Sequence, residues 1–321
     1  ERRTCELVVR SEGRAAPAFA AEMGAGFAPF FVPIDETDSL YTLMSTLAYG
    51  LRGYNLYMAV ERDRWIGAPI DPHGRRRAHA ESYELLNRAL LATNFHTLRR
   101  KTPVRLVIPR ALRRLARATH AFGPLTPALF NILGVGLRES CLDEDFGTGE
   151  VWTALGEAYL RAFERALRAR GVPFAYTGGE SLTEGTIGAE WIVCSTIGGL
   201  KSDFVDQLRV ASRKVKVTVG PKAPERDGSM RALTNPYDLT GLELEPLADI
   251  SDADALVARR IEELSLPTYP ITPESTFVTV HEDATGRPRI VFVMNPTNER
   301  VISQVSLPGA SVLVDQLRDR R

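Results

Sequence analysis

Glu22 is a carboxylate carried by a short apolar run, Pro17-Ala18-Phe19-Ala20-Ala21-Glu22, straight into the small-residue turn Met23-Gly24-Ala25-Gly26. An acid at the end of a strand, followed by residues small enough for a tight turn, is how a (β/α) barrel presents a catalytic group at its C-terminal rim. A helix-like run from 38 to 51 follows, then the apolar run Gly53-Tyr54-Asn55-Leu56-Tyr57-Met58-Ala59-Val60. This second run ends in Glu61-Arg62-Asp63-Arg64-Trp65. Two consecutive strand ends bearing acids, arginines and an indole have the composition of a cleft wall for a polar substrate.

Each of these residues also has a plainer reading. Glu22 can be a surface glutamate at a strand end. Glu61 and Asp63 can bind substrate hydroxyls, or they can pair with Arg62 and Arg64 as ordinary surface ion pairs. Trp65 suits stacking on the apolar face of a sugar, but it equally suits a half-buried loop anchor. Tyr54 and Tyr57 read as packing residues. Glycoside hydrolysis needs two carboxylates flanking the scissile bond, so Glu22 by itself supplies half of such a pair.

The elements that would hold these groups follow from periodicity. Leucines and alanines at helical spacing (Leu85, Leu86, Ala89, Leu90) predict a helix over 78–94, after a turn-rich loop over 67–74. From residue 101 the pattern changes. Strands are expected over 103–108, 172–176, 189–194 and 214–219. Helices are expected over 110–120, 151–170, 201–212 and 253–264, with a loop over 221–241. Strands alternating with helices at this interval predict a parallel, three-layer α/β domain. The last fifty residues alternate instead, with strands expected over 277–281, 289–294, 301–307 and 311–314, the pattern of a small antiparallel sandwich or a fragment of one. The division expected is 1–100, 101–270 and 271–321.

Other constellations carry less. Cys194 ends a strand where an amidotransferase-like enzyme could hold a nucleophile, but Ile192 and Thr196 stand where the elbow requires glycines, so a buried structural thiol is expected. Gly134-Val135-Gly136 has Glu139 in place of the third glycine of a dinucleotide fingerprint. Asp145-Phe146-Gly147-Thr148-Gly149 could cradle an anion at a helix start, or be a turn and cap. Arg110, Arg113, Arg114 and Arg117 form one basic face, read as solvated.

The chain has 321 residues, 44% hydrophobic and 25% charged, with 40 basic residues against 40 acidic. A net charge of zero argues against a dedicated nucleic-acid partner. No apolar run approaches the ~20 residues of a membrane span, and no secretory signal is evident, so a cytoplasmic protein is expected. Three scattered cysteines and five histidines without ligand spacing give no case for a metal, a disulfide framework or another cofactor. The sequence opens without Met and reaches its strand-end acid within two dozen residues. If these strands belong to a barrel, its remainder must come from another chain or a longer parent polypeptide.

The runs Ala21-Glu22-Met23-Gly24-Ala25-Gly26, Thr42-Leu43-Met44 and Ala48-Tyr49-Gly50-Leu51-Arg52-Gly53-Tyr54-Asn55-Leu56-Tyr57-Met58 resemble the closing part of a β-galactosidase-like glycoside hydrolase barrel, close to families 42 and 35 of clan A. The resemblance implies the C-terminal part of a (β/α)8 barrel, then a flavodoxin-like, amidotransferase-like trimerisation domain and a small antiparallel β domain. It places Glu22 at the nucleophile of strand seven and 53–60 on strand eight. It further implies a retaining mechanism on β-galactosides or related β-glycosides, with Trp65 stacking on the sugar and Glu61 and Arg64 binding it. A homo-oligomer is expected. The family's acid/base glutamate lies on strand four, which has no counterpart in this sequence. The alternatives are a non-catalytic sugar-binding or oligomerisation subunit derived from a glycosidase, and an amidotransferase-like enzyme built on the 101–265 region.

Overall fold

A computed structural model describes residues 18–26, 36–62, 66–109, 152–178, 182, 188–196, 198–247, 250–309 and 313–317. The chain forms two compact units, one of residues 1–101 with 271–321 and one of residues 102–270. The expected helix over 110–120, the glycines at 134–136, the turn over 145–149 and the side chains of Arg64 and Trp65 lie outside the described residues.

The first unit begins with strand β1 (Phe19–Gly24), helix α1 (Glu36–Ala48), strand β2 (Gly53–Tyr57) and helix α2 (Ala80–Ala92), followed by the two-residue strand β3 (Arg99–Arg100). β1 and β2 pair in parallel, as a βαβ unit requires. Leu40, Leu43, Met44 and Leu47 recur at helical spacing along α1, and Leu43 and Leu47 are fully buried. The helix stops at Gly50, whose φ of 124° is closed to most side chains. Gly50 N–H donates to Leu47 O and Leu51 N–H to Thr46 O, which satisfies carbonyls that a helix end leaves free.

The β1–β2 core joins Leu43, Leu47, Tyr83, Leu86 and Phe95 to the C-terminal segment through Ile290 and Phe292. That segment contains β10 (Phe277–Glu282) and β11 (Pro288–Met294), an antiparallel hairpin with β3 paired on the other edge of β10. Short strands β9 (Ile271–Thr272) and β12 (Gln304–Val305) pair with each other. The strand expected over 301–307 is thus reduced to two residues, and Leu313 and Val314 form none. The strand expected to reach Val60 ends at Tyr57 instead. Met58 takes a left-handed φ of 59°, which breaks the extended run, and Val60 bridges to Ile70.

In the second unit, strands β4 (Val104–Ile108), β5 (Phe174–Gly178), β6 (Trp191–Thr196), β7 (Lys216–Pro221) and β8 (Glu243–Leu244) make one sheet in the order β5-β4-β6-β7-β8, every pair parallel. Helices α3 (Trp152–Ala169) and α5 (Ile250–Leu264) pack together, with α3 also against β6 and β7, and α4 (Ser202–Ser212) packs on β7. Continuous apolar strands are what a sheet covered on both faces requires. Alternate residues of β6 serve different layers. Trp191 meets Phe163 of α3 edge-on at 5.7 Å, while Ile192 and Cys194 join Phe204 and Leu208 of α4.

Cys194 therefore sits in the core rather than at a strand-end elbow. It is fully buried, and burial pushes its thiol well above the ordinary value. A neutral, inaccessible thiol is no nucleophile. Treatment of the native protein with a thiol reagent should leave Cys194 unmodified in a peptide map, and modification should follow denaturation. Rapid labelling of Cys194 in the folded state would reopen the amidotransferase-like alternative.

Candidate functional site

The geometry around Glu22 follows from a break in the β1–β2 register. Phe19 pairs with Gly53 and Ala20 with Tyr54, but the next pairs are Met23 with Leu56 and Gly24 with Tyr57. Between them β1 spends two residues, Ala21 and Glu22, against the single residue Asn55. This is a β-bulge, a device that redirects side chains and is frequent beside active sites.

The consequence is visible in which residues face the helices. Ala20 and Met23 of the first strand and Ala18 and Ala25 at its two ends, with Tyr54 and Leu56 of the second, pack into the core under α1 and α2. Strict alternation from Ala20 would turn Glu22 inward with it. The extra residue shifts the parity, so Ala21 and Glu22 are both exposed. Phe19, Ala21, Glu22, Gly24, Gly53, Asn55 and Tyr57 thereby share the face turned away from the helices. Phe19 is 59% exposed, and its ring lies over Gly53, where a Cβ would come within 2.8 Å of it.

The helix side braces the strands. Ser39 Oγ donates to Gly24 O at 2.9 Å and meets the Tyr83 hydroxyl at 2.8 Å, tying α1 and α2 to the end of β1. Tyr54 donates to Asn87 Oδ1 at 2.6 Å, and burial, then the neighbouring Tyr83, pushes its phenol up to about 12. It stays a neutral donor. Tyr54 is a packing residue, whereas Tyr57 lies on the opposite face of the same strand. Reading both tyrosines as packing residues holds for Tyr54 and not for Tyr57, and the signal in the sequence is the two-residue alternation within 53–57 joined to the polarity of Asn55.

The two strand ends come together. Ala25 N–H donates to Tyr57 O at 3.0 Å, extending the pairing beyond Gly24. Gly26 lies against the loop after β2: a Cβ there would be 3.2 Å from Met58 O, 3.3 Å from Ile66 O and 3.4 Å from Ala68 Cβ. The loop is closed at its neck by Glu61, whose Oε2 accepts from Arg77 Nη2 at 2.5 Å and from Gly67 N–H at 3.2 Å. Its side chain is only 14% exposed. One oxygen of Glu61 is thus committed to holding the loop that carries Arg64 and Trp65. Asp71 Oδ1 accepts from His73 N–H and Arg75 N–H and shapes the loop's far turn.

Among the described residues no three His, Cys, Asp or Glu side chains cluster as a metal site, and no helix is long and apolar enough to cross a membrane. Of the seven positions on the open face of β1 and β2 (Phe19, Ala21, Glu22, Gly24, Gly53, Asn55, Tyr57), Glu22 alone is a carboxylate. The arrangement offers one accessible acid on a braced parallel pair, with a loop bearing further polar groups against its turn.

No protein-family profile and no curated protein matches the sequence. Solved structures do. A catalytic mutant of a GH42 beta-galactosidase from G. stearothermophilus superposes with a TM-score of 0.57 at 8% identity, covering 95% of this chain and 55% of that one. The beta-galactosidase of the Antarctic haloarchaeon Halorubrum lacusprofundi gives 0.50 at 12% identity with the same coverage. That of Bacillus circulans sp. alkalophilus gives 0.50 at 9% identity, covering 86% of this chain and 55% of its own. The chain spans about half the length of each of these structures. At such identities the likeness is one of architecture: the parallel and antiparallel sheets of this chain form part of a β-galactosidase-like fold.

Proposed function

We propose that this chain is the C-terminal portion of a retaining glycoside hydrolase acting on β-galactosides or related β-glycosides, with Glu22 as the nucleophile. The observation that carries the reading is the bulge at Ala21–Glu22, which exposes an acid on the helix-free face of a parallel strand pair whose fold is β-galactosidase-like. In a complete barrel that face is the interior, and the rim at the strand ends is where catalytic groups sit. The remaining strands come from further polypeptide, as does the acid/base carboxylate. The partner carboxyl stands about 5–5.5 Å from the nucleophile in retaining enzymes.

In the first half-reaction a Glu22 oxygen bonds to the anomeric carbon while the bond to the leaving oxygen breaks. The second carboxyl protonates that oxygen, then removes a proton from the water that releases the sugar. Glu61 serves as the brace of the loop after β2, through which Arg64 and Trp65 reach the substrate, the indole against the sugar's apolar face.

The test is covalent trapping in the assembled protein. A dinitrophenyl β-galactoside fluorinated in place of the hydroxyl next to the anomeric carbon forms a long-lived glycosyl ester with a retaining enzyme's nucleophile. Its leaving group departs without an acid. The mass increase should map to the peptide containing Glu22. Gluco and arabino analogues run in parallel read the sugar preference.

A second reading is a non-catalytic sugar-binding subunit, favoured by the solitary carboxylate on the open face. Saturable binding of galactosides with neither trapping nor turnover would establish it instead.

A further inference from the structure

A bulge is a weak point in register. The extra residue leaves backbone groups outside the regular pairing, and a slip of one residue would return Glu22 to the helix side. Something must hold the strand in the bulged arrangement. On the helix side, Ala20 and Met23 are anchored by packing, which fixes both ends of the bulge but not its apex. At the apex the contact comes from the opposite strand: Asn55 Nδ2 donates to Ala21 O at 3.3 Å. Asn55 is the residue faced by both Ala21 and Glu22, and it lies exposed on the open face with Glu22.

Size and chemistry both suit this task. The acceptor is a carbonyl, so the contact needs a donor, and an amide supplies one without adding a charge beside Glu22. A carboxylate of the same shape would present only acceptors. An aliphatic residue would fit the strand and leave the carbonyl to water. We infer that Asn55 is a positioning residue for Glu22, clamping the Ala21–Glu22 bulge so that the carboxylate stays on the open face; this role rests on Glu22 being the nucleophile proposed above. Asn55 acts on the backbone that carries the nucleophile, not on substrate.

The prediction separates positioning from folding and from binding. Misplacing a reacting group by an ångström costs on the order of 100-fold in rate, so a loosened bulge should slow bond formation by about 10- to 100-fold. The measurement is the trapping reaction in the assembled protein, resolved into the reagent's binding constant and the first-order rate of ester formation. Asn55→Ala and Asn55→Asp should each show the slower step with the binding constant changed by less than about threefold, because the sugar's contacts are untouched. Asn55→Gln, which keeps an amide donor on a longer arm, should recover part of the rate. Thermal midpoints of all three should stay near that of the parent, since Asn55 is exposed.

Ester formation at the parent's rate in Asn55→Ala and Asn55→Asp, with label still on Glu22, would overturn the positioning role while leaving the nucleophile in place. Equal losses in all three variants would do the same, pointing to strand packing as the cause. Absence of label on Glu22 in the parent protein would remove the nucleophile and this role together.

Discussion

Replacing Glu22 by Gln should reduce turnover of an aryl β-galactoside by at least about 10³-fold, equivalent to roughly 4 kcal/mol of barrier. The amide is close in shape but cannot form the glycosyl ester. Because Glu22 is exposed and the fold's core lies on the other side of the strand, the variant should melt with the parent. That combination distinguishes loss of a reacting group from loss of structure. A Glu22→Ala variant sharpens the result. Removing the side chain opens space at the anomeric carbon, and added azide should restore turnover of activated substrates by direct attack, giving a glycosyl azide of inverted configuration. A Glu22→Gln enzyme with undiminished activity would place the nucleophile elsewhere.

The second large effect lies away from the site. Arg52 is half-buried and ties together three segments of the first unit. Its Nε donates to Leu98 O at 2.8 Å, Nη1 to Leu51 O at 2.9 Å, and Nη2 to His281 Nδ1 at 3.0 Å, while the guanidinium lies 4.6 Å from the centre of the Phe95 ring. Burial, then the charge of Arg100, pulls Arg52 down to about 10, still cationic at neutral pH. Since Arg52 can only donate, His281 Nδ1 must accept. The imidazole proton therefore sits on Nε2, 3.1 Å from Ala48 O. Arg52→Ala strips these partners at once, leaves the buried His281 Nδ1 without its donor and should destabilise the unit by about 1–3 kcal/mol, the range for a buried polar group left unsatisfied. Arg52→Lys should recover little, because an ammonium lacks the guanidinium's planar fork.

The same cluster predicts an acid-sensitive stability. His281 is fully buried, and burial first, then Arg52 and Arg100, hold it well below its ordinary value of 6.5, against a small opposing contribution from Ala48 O. Phe95 and Phe292 close the ring's other sides. Below pH 6.5 the unfolded chain binds a proton that the folded chain does not. The stabilisation is thus complete above 6.5 and declines as pH falls, by up to about 1.4 kcal/mol per pH unit. Denaturant titrations of the parent between pH 7.5 and 5 should show this slope in the unit containing His281. A flat profile would mean that the imidazole accepts a proton in the folded state.

Much of the secondary structure was legible in the sequence because it rests on local periodicity. The apolar runs around Val104–Ile108, Trp191–Thr196 and Lys216–Pro221 read as buried strands, and the leucine and alanine spacing over 78–94 reads as the helix found at Ala80–Ala92. Glu22 stood out because an acid followed by glycines at a strand end is a short-range pattern. What pairs across long separations was not legible. Glu61 finds Arg77 across sixteen residues of loop, although Arg62 and Arg64 stand closer in sequence. Arg99–Arg100 becomes an edge of the C-terminal hairpin, and Phe292 enters the core of the N-terminal strands.

The facing of Glu22 is where the two levels part. Residue order alone determined that a carboxylate arrives near the end of an apolar strand. By alternation from Ala20, that order would send it toward the helices. The tertiary structure decided otherwise, because the register of β1 against β2 is set by the packing of Ala20 and Met23 under α1 and α2. These two anchors are an odd number of residues apart and so require one extra residue between them. That residue is what turns Glu22 outward. No periodicity within 19–24 could have shown it, since register is a property of two strands and the layer beneath them.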